Sequence, residues 1–167
     1  MSGTHGRARV DVRPLERSEW AAANRILHDV YLGEGYIDPE HVVVDVAAKA
    51  AAGTWLGAFA DGELTGVVLV VMHGSAEAVV CDPGGAEIRL LAVDPRRRAG
   101  GAGAALMAEA EALACRSGAV AMTLSTQEAM RAAHRLYERL GYRRRPADDY
   151  VAGGRPFIVY TRVFDTT

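Results

Sequence analysis

An apolar run at 88–93 gives way, through Asp94-Pro95-Arg96-Arg97-Arg98-Ala99-Gly100-Gly101-Ala102-Gly103, to an alanine-rich stretch of helical periodicity. A strand is therefore expected to pass into a helix through a row of small residues. Without bulky side chains, backbone N–H groups in such a turn can approach an anion closely, and the helix adds its unpaired first-turn N–H groups and the positive end of its dipole. A pyrophosphate suits that nest. Three arginines stand beside it, Arg98 best placed, and guanidinium groups make paired contacts to phosphate oxygens. Two familiar phosphate loops fit poorly. A Walker A loop closes on Gly-Lys-Ser/Thr, whereas the only lysine of the chain is Lys49. A dinucleotide fingerprint needs a third small residue where Leu106 stands, in the first turn of a βαβ unit.

The surrounding sequence reads as one mixed α/β unit over 1–167, with the short polar segment 1–9 expected to be flexible. Half of the residues are apolar and 24% are charged, which describes a globular chain and excludes a disordered one. Residues 10–13 predict a strand, and Ser18 an N-cap for a helix with Trp20, Ala23, Leu27, Val30 and Tyr31 on one face, stopping at Gly33. Asp38-Pro39 suggests the start of a second helix ending near Ala52, although Val42, Val43 and Val44 favour extended backbone. The turn Asp61-Gly62 joins strands over 55–60 and 64–72 into a hairpin, and a fourth strand covers 88–93. A helix follows over 103–117, ended by Gly118, then a strand over 120–124. Ser125 with Glu128 reads as a capping box for a helix with Met130, Ala133, Tyr137 and Leu140 on one face. Two more strands are expected in the tail.

No stretch approaches ~18 consecutive apolar residues, and the N-terminus lacks the apolar run of a secretory signal, so a cytoplasmic location is expected. The net charge of −2 points to neither nucleic acid nor an anionic membrane as a partner. Cys81 and Cys115 have no paired spacing, and His28, His41, His73 and His134 have no Cys, Asp or Glu at ligand spacing, so no metal is expected.

Two blocks of the chain resemble the GNAT superfamily of N-acetyltransferases. The family's acyl-CoA loop, Arg/Gln-x-x-Gly-x-Gly/Ala, is similar to Arg98-Ala99-Gly100-Gly101-Ala102-Gly103, preceded by Val93-x-Pro95. Its second block is similar to Ala133-His134-Arg135-Leu136-Tyr137-Glu138-Arg139-Leu140-Gly141-Tyr142. The resemblance implies a mixed, mostly antiparallel sheet of six or seven strands with about four helices. It also implies an enzyme that uses acetyl-CoA to acetylate a primary amine of a small molecule or a peptide, possible dimers among similar proteins, and no metal. By the same resemblance Leu91, Ala92 and Val93 meet the pantetheine arm, residues 98–104 through Ala104 hold the pyrophosphate, and Tyr137 faces the thioester sulfur. Where the family often places an asparagine against the pantetheine, this chain has Met130.

Direct attack of an amine on a thioester needs a neutral nucleophile, a stabilised oxyanion and an eased leaving group. A thiol has a pKa of ~8.5 and a phenol ~10, so Tyr137 can hydrogen-bond the departing thiolate without being a strong acid; the other reading is a core tyrosine on an amphipathic helix. Glu87, at the start of the fourth strand, is the candidate base if it borders the cleft, and otherwise a solvated strand-end charge. Tyr31, Glu34, Tyr36 and Asp38 fall in the segment that borders the acceptor in the family, and the charges of Arg143, Arg144 and Arg145 suit either a solvated strand end or an anion pocket. A non-catalytic acyl-CoA sensor is the competing function.

Overall fold

Asp61 and Gly62 both take positive φ, 51° and 77°, and fold the chain back in the tight turn that their sequence calls for. This hairpin seeds the centre of a computed structural model that describes residues 9–38 and 44–165. In chain order the elements are β1 (Val10–Pro14), α1 (Trp20–Tyr31), α2 (Val46–Lys49), β2 (Thr54–Ala60) and β3 (Glu63–Met72). They continue with β4 (Ala86–Val93), α3 (Ala102–Arg116), β5 (Ala121–Gln127), α4 (Arg131–Arg139), β6 (Arg143–Arg144), β7 (Tyr150–Ala152) and β8 (Arg155–Val163). The sheet runs β1-β2-β3-β4-β5-β8-β6, with β7 also paired to β8. Every pairing is antiparallel except that of β4 with β5. The expected architecture is present, with eight strands because the tail contributes two very short ones, β6 and β7, beside β8.

Two apolar cores cover the sheet, one on each face. Alternate residues of β3 divide between them: Val68 and Val70 join Leu106, Met107 and Ala110 of α3, while Val67, Leu69 and Val71 join Ile26, Leu27 and Val30 of α1. On β4 this alternation changes phase. Leu69 opposes Leu90 while Val70 opposes Ile88, so Arg89 is an extra residue, a β-bulge. Ala86 and Ile88 pack on the α3 side before it; after it Leu90 and Ala92 pack on the α1 side, and Leu91 and Val93 return to α3.

Several local expectations are corrected by side-chain bonds. The first helix is led in by a 3-10 turn, Arg17–Glu19, in which the Glu19 carboxylate accepts the Glu16 N–H at 2.8 Å; Ser18 is not the cap. The second helix is a single turn capped by Asp45, whose Oδ1 accepts from the Ala47 N–H at 3.2 Å and from Asn24 Nδ2 at 3.1 Å. Its expected start at 39–43, with His41, lies outside the described residues, as does the N-terminal segment apart from Arg9. Ser125 is no cap either: β5 runs three residues further than expected, to Gln127, and the Ser125 hydroxyl meets that of Tyr150 at 2.7 Å.

The largest consequence for the site is how α3 is held. Gly66 lets the helix approach, since a Cβ there would sit 3.0 Å from Leu106 Cδ1 and 3.1 Å from the Ala92 carbonyl oxygen. Leu106 is fully buried at this contact. Leu106→Ala is expected to cost about 3 kcal/mol, measured as a lower urea midpoint at unchanged slope.

Candidate active site

Parallel strands β4 and β5 pair at only three positions, Ala86 with Met122, Glu87 with Thr123 and Ile88 with Leu124. Beyond Ile88, β4 stays bonded to β3 through Val93; beyond Leu124, β5 stays bonded to β8 through Gln127. The two strands therefore part, and the facing backbone edge of β4 lacks a β5 partner over 89–93. A cleft of about 250 Å³ opens there. Its walls include Leu90 and Leu91 from β4, Thr126 and Gln127 from β5, Met130, Ala133 and Tyr137 from the start of α4 onward, and Tyr31 from α1.

Tyr137 is 5% exposed and stands on the cleft wall, and its hydroxyl has no hydrogen-bond partner among the described residues. Burial, with the neighbouring Tyr31, pushes its pKa well above the ordinary phenol value. It therefore stays protonated through the neutral range. Tyr31 is likewise pushed up to about 12 by burial, and its hydroxyl donates to the Leu91 carbonyl at 3.3 Å. That bond links α1 to the strand edge along which a donor arm is expected to lie.

The loop after β4 is built by its own side chains. Asp94 accepts the Arg96 N–H at 3.0 Å, Pro95 opens a 3-10 turn over Pro95–Gly100, and Gly101 at φ 81° turns the chain into α3. The first helical bond runs from the Ala105 N–H to the Gly101 carbonyl at 3.1 Å, so the N–H groups of Ala102, Gly103 and Ala104 have no partner within the helix. Smallness serves different ends along this loop. At Gly103 it is packing, because a Cβ would lie 3.2 Å from Leu136 Cδ2 of α4. At Gly100 a Cβ would meet nothing within 4 Å, so the backbone there, with Ala99 before it, stays open to a ligand. Each nest arginine already has a carboxylate: Arg96 pairs with Asp94, Arg97 with Glu63, and Arg98 with Glu34 at 2.6 Å. A second cavity of about 340 Å³ is lined by Arg96, Arg97, Ala99, Gly100 and Ala102 on the loop side and by Val10, Ala60, Asp61 and Thr65 on the other. We place the chemistry in the smaller cleft, because that one brings β4, β5 and α4 together.

Glu87 is where the expectation and the geometry part. Its side chain is neither a solvated strand end nor part of the cleft wall: it is 0% exposed. Oε2 accepts the N–H groups of Val79, Val80 and Cys81 at 2.9, 3.0 and 3.0 Å, fastening the loop that precedes β4. Burial pushes this carboxyl up, opposed by those three amides and by the Arg89 guanidinium. The Cys81 thiol, raised to about 11 by burial and by Glu87, is no nucleophile at neutral pH.

Of the other expected residues, Leu91 lines the cleft, whereas Ala92 faces the α1 core and Val93 the α3 core, so their contribution to a ligand is backbone. Met130 lines the cleft and its sulfur accepts the Thr126 hydroxyl at 3.8 Å. Tyr36 presents its carbonyl to Gln127 Nε2 at 2.7 Å, and Asp38 pairs with Arg155 at 3.1 Å. Arg144 and Arg145 are spent on Asp149 and on Asp82 with Asp148, outside the cleft. Sequence reasoning missed Arg89, Gln127 and Phe157 as wall residues; the available signal was Arg89, the charge that interrupts an otherwise apolar strand. Among the described residues no group of three or more His, Cys, Asp or Glu side chains could hold a metal, and no helix is long and apolar enough to cross a membrane.

Comparison with known proteins gives the family of the chain and returns its fold. The chain belongs to the Acetyltransferase (GNAT) family, whose sequence model matches residues 17–142. Ribosomal-protein-alanine N-acetyltransferase from Brucella melitensis superposes with a TM-score of 0.74 at 16% identity, covering 92% of this chain and 99% of that one. PaiA N-acetyltransferase from Thermoplasma acidophilum, in complex with coenzyme A, gives 0.70 at 16% identity over 93% and 99%. YncA from Salmonella typhimurium, with acetyl-CoA, gives 0.71 at 18% identity over 95% of each chain. No curated protein matches in sequence.

If Glu87 acts as a loop anchor, Glu87→Gln, which keeps an acceptor oxygen for the amides, is expected to leave the pH–rate profile unchanged. Glu87→Ala is expected to cost about 3 kcal/mol of stability, read from thermal or denaturant melts. Loss of one limb of the pH profile in the glutamine variant would return the carboxylate to the chemistry.

Proposed function

We propose that this chain is an N-acetyltransferase that binds acetyl-CoA along the parted edge of β4 and transfers the acetyl group directly to a primary amine. The observation that carries the proposal is the unpartnered Tyr137 hydroxyl in the cleft between β4 and β5. Residues 98–104 would receive the pyrophosphate on the open backbone at Ala99 and Gly100 and the free first-turn N–H groups of α3. Arg98 would exchange Glu34 for phosphate. The edge groups of Leu91, Ala92 and Val93 would pair with the amides of the pantetheine arm, as a missing strand would.

In the reaction the amine nitrogen attacks the thioester carbonyl carbon, the carbon–sulfur bond breaks, and the electron pair leaves on sulfur. Backbone N–H groups on the exposed β4 edge would stabilise the oxyanion. The role of Tyr137 follows from acidities. Its phenol is held above ~10 while the departing thiol has a pKa of ~8.5, so full proton transfer from tyrosine to thiolate runs uphill. Tyr137 therefore donates a hydrogen bond to the developing thiolate, and the proton that neutralises it comes from the amine, which becomes acidic as it acylates. An amine that arrives neutral needs no carboxylate base, in keeping with the buried position of Glu87.

Tyr137→Phe is expected to lower kcat by about 100-fold with little change in coenzyme affinity, measured by thiol release and by calorimetry. Gly100→Val separates fold from function differently. Because nothing stands within 4 Å of the added Cβ, thermal stability should stay unchanged while coenzyme A affinity falls at least tenfold; retained affinity would remove the loop from the donor site. Coenzyme binding without thiol release by any amine would favour a sensor.

A further inference from the structure

The polar side chains on the cleft wall sort into two sets. Most are already engaged: Lys49 with Glu77 at 2.8 Å, Ser125 with Tyr150, Gln127 with the Tyr36 carbonyl, and Tyr31 with the Leu91 carbonyl. Two have no hydrogen-bond partner among the described residues, Tyr137 and Arg89. Tyr137 has its use at the thioester. Arg89 is a cation on the bulge, its side chain 22% exposed and its Nε sealed from solvent without an acceptor. Its nearest carboxylate oxygen, Glu87 Oε1, forms an ion pair with Nη1 at 3.7 Å, beyond hydrogen-bond range, and Oε2 of that group is committed to three amides. Nε has therefore lost hydration without gaining a bond, and the planar fork of the guanidinium matches a carboxylate. The described cleft wall contributes no Asp or Glu, while it contributes both Arg89 and Lys49. The wall also carries the apolar side chains of Ile37, Val44, Leu90 and Phe157.

We infer that the acceptor is an amine that also carries a carboxylate, such as a free amino acid, with Arg89 as the residue that binds that carboxylate and sets specificity. The inference rests on the acetyl-transfer reading and deepens it. A polycation or a lysine-rich tail would bring a second positive charge to a wall whose described residues include no Asp or Glu to receive it. A carboxylate at Arg89 supplies the bonds that the guanidinium lacks, and the bulge, which turns Arg89 out of the β3–β4 register, is what makes it available.

The test uses the full chain, acetyl-CoA, and L-leucine, L-methionine, L-phenylalanine, β-alanine and 4-aminobutyrate, each beside its primary amide. Amidation of an α-amino acid lowers the basicity of its amine and so favours attack by the amide, which biases the comparison against the inference. The expected result is a kcat/KM about 10- to 100-fold higher for at least one acid than for its amide. Arg89→Met should abolish that preference and Arg89→Lys should keep part of it, with coenzyme A affinity unchanged in both. Equal or faster turnover of every amide, or an undiminished preference in Arg89→Met, overturns the inference and leaves acetyl transfer standing. If no compound is turned over, calorimetry with the same acids on the coenzyme A complex decides: binding lost in Arg89→Met upholds the carboxylate site and overturns acetyl transfer, and no binding of any acid overturns the site.

Discussion

Everything that makes this chain more than a covered sheet follows from one interrupted ladder. Parallel strands that stayed paired along their length would bury the backbone of β4 and leave no place for a ligand. Here the ladder stops after three pairs, while β4 stays paired with β3 and β5 with β8 along their other edges. The polar groups exposed by the parting must find partners, and an extended ligand with amides of its own can provide them. α4 crosses the opening with Tyr137 on its buried side, so one event in the sheet creates both the groove and the position of its hydroxyl.

Charge around the site is arranged as a set of provisional pairs. The three loop arginines lean on Asp94, Glu63 and Glu34, contacts that at exposed positions contribute at most about 1 kcal/mol each. Such pairs cost little to break. Glu87 is the opposite case. Buried and bonded to three amides, it organises the connection between β3 and β4 and has no freedom to exchange.

The loop and the tyrosine were legible in the sequence because both depend on local rules: small residues before a helix, and an aromatic residue on an amphipathic face. The hairpin at Asp61-Gly62 was legible for the same reason. Three readings failed where a distant partner overrode a local one. Ser125 has a cap's chemistry, but β8 extended β5 past it and Tyr150 took its hydroxyl. The second helix yielded to the reach of Asn24 across to Asp45 and the Val46 N–H. Glu87 was read as a candidate base or a solvated strand-end charge because nothing in its neighbourhood announced that residues 79–81 would fold over it. Arg89 was visible as an anomaly, but its place on the wall depends on a bulge that no spacing encodes.

That bulge also bears on how sequences of this kind can drift. A strand's facing repeats every second residue, so deleting Arg89 alone would leave Leu90 and Ala92 on the α1 side and Leu91 and Val93 on the α3 side, in unbroken alternation from Ile88. Neither core needs the extra residue. The bulge is a point where the sheet can gain or lose one position without repacking either face, and what the added position carries is a single charged side chain beside the opening.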